Sequence, residues 1–211
     1  MDKAASWLRK IKLALSISIV TSFVYAIVSY FYVTNMAETG VDPLGEQSQW
    51  NVPMVILYSS VSLVGIPAAV FLFVASIGFM FRSAQWLKGM DATAIDGKPG
   101  LIIAAYFIPI ADLIFPWRYM QSMNKAGANS DAEKSKLGNL IKLNLALGVL
   151  ALLAGGNQWA DIILGAPQQT IDEVVFQEWR GIIGTLFDIG AMTALYFIVT
   201  PLFAGLEKRS K

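Results

Sequence analysis

Four long, nearly uncharged apolar runs constrain this chain more than any other feature: residues 13–33, 52–81, 137–156 and 181–206. A helix that crosses a hydrocarbon core of about 30 Å needs roughly 20 mostly apolar residues. A helix also satisfies its own backbone hydrogen bonds there, which an open strand cannot do. The runs therefore predict an all-α membrane protein with four transmembrane helices, residues 1–211 forming a single polytopic membrane domain. The first run follows Lys3, Arg9, Lys10 and Lys12, as a signal peptide would. It is longer than the apolar stretch of a signal peptide and no small-x-small cleavage site follows, so it is expected to stay as an anchor.

Charge orders the runs. If the amino terminus lies inside, the outer loops are 34–51 and 157–180. Of the 16 Lys and Arg, only Arg180 then falls in an outer loop; Lys142 lies within the third run and the remaining 14 are inside. The outer loops carry Glu38, Asp42, Glu46, Asp161, Asp172, Glu173 and Glu178 instead. Lys and Arg in short loops set orientation, so both termini are expected in the cytoplasm. The six tryptophans agree, with Trp7, Trp86 and Trp117 near the inner boundary and Trp50, Trp159 and Trp179 near the outer one. An amphipathic indole favours that headgroup level.

What is missing narrows the chemistry. The chain has no Cys and no His, which removes disulfides, thiol redox chemistry, Cys/His zinc sites and any His-assisted nucleophile. A net charge of +1 with no long basic run gives no case for nucleic acid. No cofactor and no metal are expected, and no catalytic constellation is legible.

One segment does not fit a simple crossing. The apolar stretch 101–115 is 15 residues long, about 22 Å as a helix. Arg82, Lys88 and Lys98 precede it; Arg118, Lys125, Lys134 and Lys136 follow. Positive charge on both flanks predicts that it enters and leaves on the same side. Pro109 and Pro116 are expected to interrupt regular helix. Residues 101–124 thus read as a proline-containing re-entrant or interfacial hairpin on the cytoplasmic side, with a fifth crossing as the alternative. The hairpin motif is Phe107, Pro109, Asp112 and Pro116, within Tyr106-Phe-Ile-Pro-Ile-Ala-Asp-Leu-Ile-Phe-Pro-Trp-Arg-Tyr-Met120.

That stretch resembles the signature of the bacterial membrane family called domain of unknown function 4328: an aromatic pair, a proline, a small polar patch, a second proline and an amphipathic helix. The resemblance covers 79–124, and beyond it only the topology of two spans before and two after. Phe79 to Arg82 match an aromatic-rich arginine motif in part; Trp86 and Asp112 stand where the family usually has Asn. The resemblance implies a bacterial inner-membrane protein and brings no activity.

Ionisable groups inside a membrane are costly and point to function by default. Asp188 lies in the fourth run, Asp112 between the hairpin prolines and Lys142 early in the third run. With Arg118 they make up a candidate intramembrane polar site. Lys142 can instead snorkel to the inner headgroups, and Asp112 can pair locally with Arg118. Helical spacing puts Gly181, Gly184, Thr185, Asp188, Ala191, Met192 and Tyr196 on one face, which should meet other helices. Asn139, Lys142 and Ala146 form a second such face, and Asn144 with Gly148 a third. Ala14, Ser18, Ser22 and Ala26 make a small-residue ridge for close helix approach, within the chain or with a second copy. Gly65 and Pro67 mark a kink site. Ser130-x-x-Glu133 and Thr170-x-x-Glu173 are capping boxes. The second opens 171–179, whose apolar Ile171, Val174, Val175 and Trp179 predict a helix lying flat on the outer leaflet.

Two functional readings follow. The first is a non-enzymatic scaffold or accessory subunit, its partners the lipid bilayer together with a membrane protein or a second copy of itself. The second is a small transporter, channel or lipid-handling protein that uses the intramembrane acids and the hairpin. A polar cavity joining Asp112, Asp188 and the hairpin favours the second reading; a dry bundle favours the first.

Overall fold

The computed structural model describes residues 2–44, 48, 50–91, 99–107, 109–127, 130–155 and 170–209, with the backbone alone at 2, 105, 109–113, 155 and 209. The described residues are helical with no strand. They form α1 (Asp2–Thr39), α2 (Asn51–Met90), α3 (Gly100–Ala105), α4 (Pro109–Gly127), α5 (Asp131–Gly155) and α6 (Ile171–Arg209). Four of these, α1, α2, α5 and α6, are long and apolar enough to cross a membrane.

The long helices overrun the apolar stretches that define them. α1, α2 and α6 have 38, 40 and 39 residues, or about 57–60 Å at 1.5 Å per residue. That is roughly twice a hydrocarbon core, so their polar ends continue as helix past both boundaries. At Gly40 α1 stops: its φ of +66° is the left-handed conformation that ends helices, and its N–H donates to the Met36 carbonyl at 2.9 Å. α6 begins where its capping box predicts. The Thr170 N–H and hydroxyl donate to Glu173 Oε2 at 2.8 and 3.1 Å, and the Glu173 N–H donates back to Thr170 Oγ1 at 3.3 Å. At the start of α5 one arm of the other box forms, from the Glu133 N–H to Ser130 Oγ at 3.2 Å.

The flat outer helix expected over 171–179 is not separate. It is the first part of α6, continuous with the rest. Val174 and Val175 pack on a small cluster of Tyr32, Met36 and Met54 at the ends of α1 and α2. That contact half-buries Val174 and Val175 against protein while Ile171 stays exposed, and no proline lies between Ile171 and Gly181 to turn the chain.

α1 runs antiparallel to α2 and to α6, and α5 antiparallel to α6. α2 and α6 both lie against α1, α5 lies against α6, and α4 packs on α5 and α6 at the end rich in Lys and Arg. The ridge of α1 is spent inside the chain: Ala14 and Ser18 are buried, and Ser18 Oγ donates to the Ala68 carbonyl of α2 at 3.5 Å. Asn144 Nδ2 donates to the Ala191 carbonyl at 2.8 Å and fastens α5 to α6. α4 meets α6 backbone to backbone at Gly127 and Gly205. A Cβ on Gly205 would sit 2.6 Å from the Gly127 oxygen, so neither position has room for a side chain. The largest core cluster draws Ile11 and Leu15, Phe79 and Leu87, Met123, and Ile198, Leu202 and Leu206 from four helices.

Of the two hairpin prolines, Pro109 falls where regular helix is interrupted, after α3 ends at Ala105, and Pro116 does not interrupt it. Pro109 opens α4, where a missing N–H costs nothing. Pro116 lies inside α4 and Pro67 inside α2, and each helix continues through its proline.

Candidate intramembrane polar site

Because α1 separates α2 from α6, a groove of about 290 Å³ opens along it. Ser18, Thr21 and Ser22 of α1 make its floor, with Ser62 and Gly65 of α2 on one side and Thr185, Asp188 and Met192 of α6 on the other. Asp188 looks out through the mouth of the groove as an exposed residue of the isolated chain, with no hydrogen bond or ion pair among the described residues. The depth is that of mid-span, since the floor residues sit near the centre of the first apolar run.

The groove is rich in acceptors. Thr21 Oγ1 donates to the Ile17 carbonyl at 2.9 Å, and Thr185 Oγ1 donates to the Gly181 carbonyl at 2.9 Å. With those protons spent on the backbone, the Thr21 and Thr185 lone pairs and the Asp188 carboxyl are left as acceptors, while the Ser22 and Ser62 hydroxyls of the same groove can also donate. Such a site suits a cation or a hydrogen-bond donor.

A second polar layer lies beyond it, towards the acidic end of the bundle. The Tyr58 hydroxyl meets Ser29 Oγ at 3.2 Å and Tyr32 OH donates to Asp42 Oδ1 at 3.1 Å. Tyr58 also stands edge-on to Tyr25 and Tyr32, with ring centroids 6.2 and 5.4 Å apart. Glu178, half-buried, lies close enough to act electrostatically on all three tyrosines. Tyr25 also lines the groove, so hydroxyls and carboxylates form a nearly continuous track from Asp42 and Glu178 to Asp188. This layer was missed by sequence reasoning, although Tyr25, Ser29 and Tyr32 recur at helical spacing on one face of α1.

The residues expected to form one polar site divide into two places. Asp188 belongs to the groove. Lys142 and Arg118 line a separate cleft of about 450 Å³ between α4 and α5, so Lys142 does not relieve Asp188. The side chains of Asp112 and Pro109 lie outside the described residues, and with them the expected Asp112–Arg118 pair. Phe107 is exposed, its ring 5.8 Å from Phe73 of α2; Tyr106 stands at the same distance from Phe73. Pro116 is half-buried within α4. The face Asn139, Lys142 and Ala146 looks outward, not towards other helices, because α5 spends its Asn144 face on α6. Among the described residues no group of acidic side chains could hold a metal ion.

Fold and site together define a class, an all-helical protein with four helices able to cross a membrane and a polar groove among three of its helices. Compared with family models, curated proteins and solved structures, the chain matches none.

Proposed function

We propose that this chain is a non-enzymatic scaffold or accessory subunit of a bacterial inner membrane, with both termini cytoplasmic. In this reading a partner's transmembrane helix brings a basic or hydrogen-bond-donating side chain to Asp188. The observation that carries it is the Asp188 carboxyl, exposed at mid-span beside small side chains and without a partner among the described residues. A carboxylate left facing hydrocarbon is disfavoured; small walls let a second helix approach closely enough to cover it.

Orientation rests on the charge asymmetry, and the bacterial setting on the resemblance of 79–124 to the family above. The re-entrant reading of 101–124 is supported by Tyr106 and Phe107 meeting Phe73. That residue is nine positions before Arg82, about 13 Å along the helix from the charged boundary. The check is single-cysteine labelling in intact cells with an impermeant thiol reagent. Glu46→Cys and Gln168→Cys should label, Lys125→Cys and Ser210→Cys should not. Labelling at 125 from outside would make the hairpin a fifth crossing.

Asp188→Asn tests the function. An interhelical hydrogen bond in a membrane contributes about 1–2 kcal/mol in model helices. The variant should fold with a nearly unchanged melting temperature yet fail to complement a deletion strain, while Asp188→Glu recovers part of the activity. Equal complementation by Asp188→Asn and the parent would sink this reading. The second reading, a small transporter, is favoured by the hydroxyl track to Asp188. Proton or sodium flux in liposomes that Asp188→Asn abolishes would put it first.

A further inference from the structure

Among the described residues, the cleft between α4 and α5 gathers three cations and no carboxylate. Arg118, Ser122 and Lys125 recur at i, i+4 and i+7 on α4, one face of that helix, and Lys142 comes from α5. None of the three cations has an ion-pair partner among the described residues, and the Ser122 hydroxyl proton is spent on the Arg118 carbonyl at 3.1 Å. Like charges gathered without a counter-ion repel, so the arrangement favours the entry of an anion. A second, independent observation points the same way. Trp117 lines this cleft, and its indole N–H is buried with no hydrogen-bond acceptor among the described residues. A buried indole N–H normally finds one.

The remaining wall selects the kind of anion. Phe115 is exposed beside the cations, so the cleft is polar on one side and apolar on the other. It lies at the basic end of the bundle, where Lys142 reaches back from the third apolar run. A soluble anion uses only the charged side; an amphiphile uses both. We propose that this cleft binds the phosphate of an anionic phospholipid, Arg118, Lys125 and Lys142 holding the phosphate oxygens and Phe115 bordering the acyl chains. Basic pockets between transmembrane helices take such headgroups for this reason. The site is separate from the Asp188 groove and does not depend on what that groove binds.

The test uses the purified full chain in a neutral detergent, with bound lipid counted by native mass spectrometry. Phosphatidylglycerol, phosphatidylcholine and inorganic phosphate are titrated in separate arms. The parent should retain phosphatidylglycerol in preference to phosphatidylcholine. Each neutralised cation, as in Lys142→Gln, should weaken that binding roughly five-fold, near what one basic residue contributes at an anionic surface. Lys142 is exposed, so Lys142→Gln keeps the proposal falsifiable even if Arg118→Gln/Lys125→Gln/Lys142→Gln fails to fold. A charge-matched control, Lys3→Gln/Arg9→Gln/Lys134→Gln, alters exposed cations elsewhere and should leave the preference intact. Equal loss in cleft and control variants would overturn the site, as would unchanged lipid preference in Lys142→Gln. Competition by millimolar inorganic phosphate, with no difference between the two lipids, would make it a free-phosphate site and overturn the lipid assignment.

Discussion

The basic half of the bundle and its acidic half are held together differently. In the basic half Ile11, Ala14, Leu15, Phe79, Leu87, Ile198, Leu202 and Leu206 are each no more than 1% exposed, and Gly127 meets Gly205 through bare backbone. In the acidic half the buried apolar cluster shrinks to Tyr32, Met36 and Met54, and hydroxyls connect the helices. Lipid tails are as apolar as leucine, so helices in a bilayer associate through close contact and through hydrogen bonds. This chain uses the first at one end and the second at the other. Close contact excludes everything else, whereas a hydroxyl-lined groove leaves room for a ligand or a partner. The candidate site accordingly sits in the half that is less tightly packed.

That contrast predicts a gradient of mutational cost, measured by reversible unfolding in mixed micelles. Phe79→Ala, in the dry half, should cost about 3–5 kcal/mol, the range for removing a fully buried aromatic ring. Gly205→Val should cost about 1–3 kcal/mol by overpacking, since its Cβ would press on the Gly127 backbone. A value near zero for either would mean that the basic half is not close-packed.

Tyr58→Phe should cost least, about 0.6 kcal/mol, the mean for a hydrogen bond between transmembrane helices. Its ring still packs on Tyr25 and Tyr32, and only the Ser29 contact is lost. If it destabilised as much as Phe79→Ala, the hydroxyl layer would be the main support of the fold and the contrast would reverse.

Several features of the candidate site were legible one residue at a time. Asp188 stands out because a carboxylate in an apolar run is rare, and the small face around it correctly points to other helices. The Thr170–Glu173 box is readable because a cap is a local bargain between neighbours in sequence. Lys142 shows the limit: helical spacing gave its face, but which of α5's faces meets α6 depended on Asn144 finding the Ala191 carbonyl. The flat helix over 171–179 failed for the same reason. Its amphipathic pattern is real, but Val174 and Val175 pack on residues of α1 and α2, a contact that local spacing does not show.

From the sequence alone follow the four apolar helices, the sharp separation of basic from acidic segments, and the identities of the few charges that apolar runs must accommodate. These depend on transfer of side chains between water and hydrocarbon, which each segment carries by itself. Only the tertiary structure decided that Asp188 lies on a hydroxyl groove of α1, that Lys142 joins Arg118 and Lys125 instead, and that three tyrosines extend the polar track. Those pairings arise where distant segments meet, through complementary surfaces and backbone acceptors that no local pattern encodes.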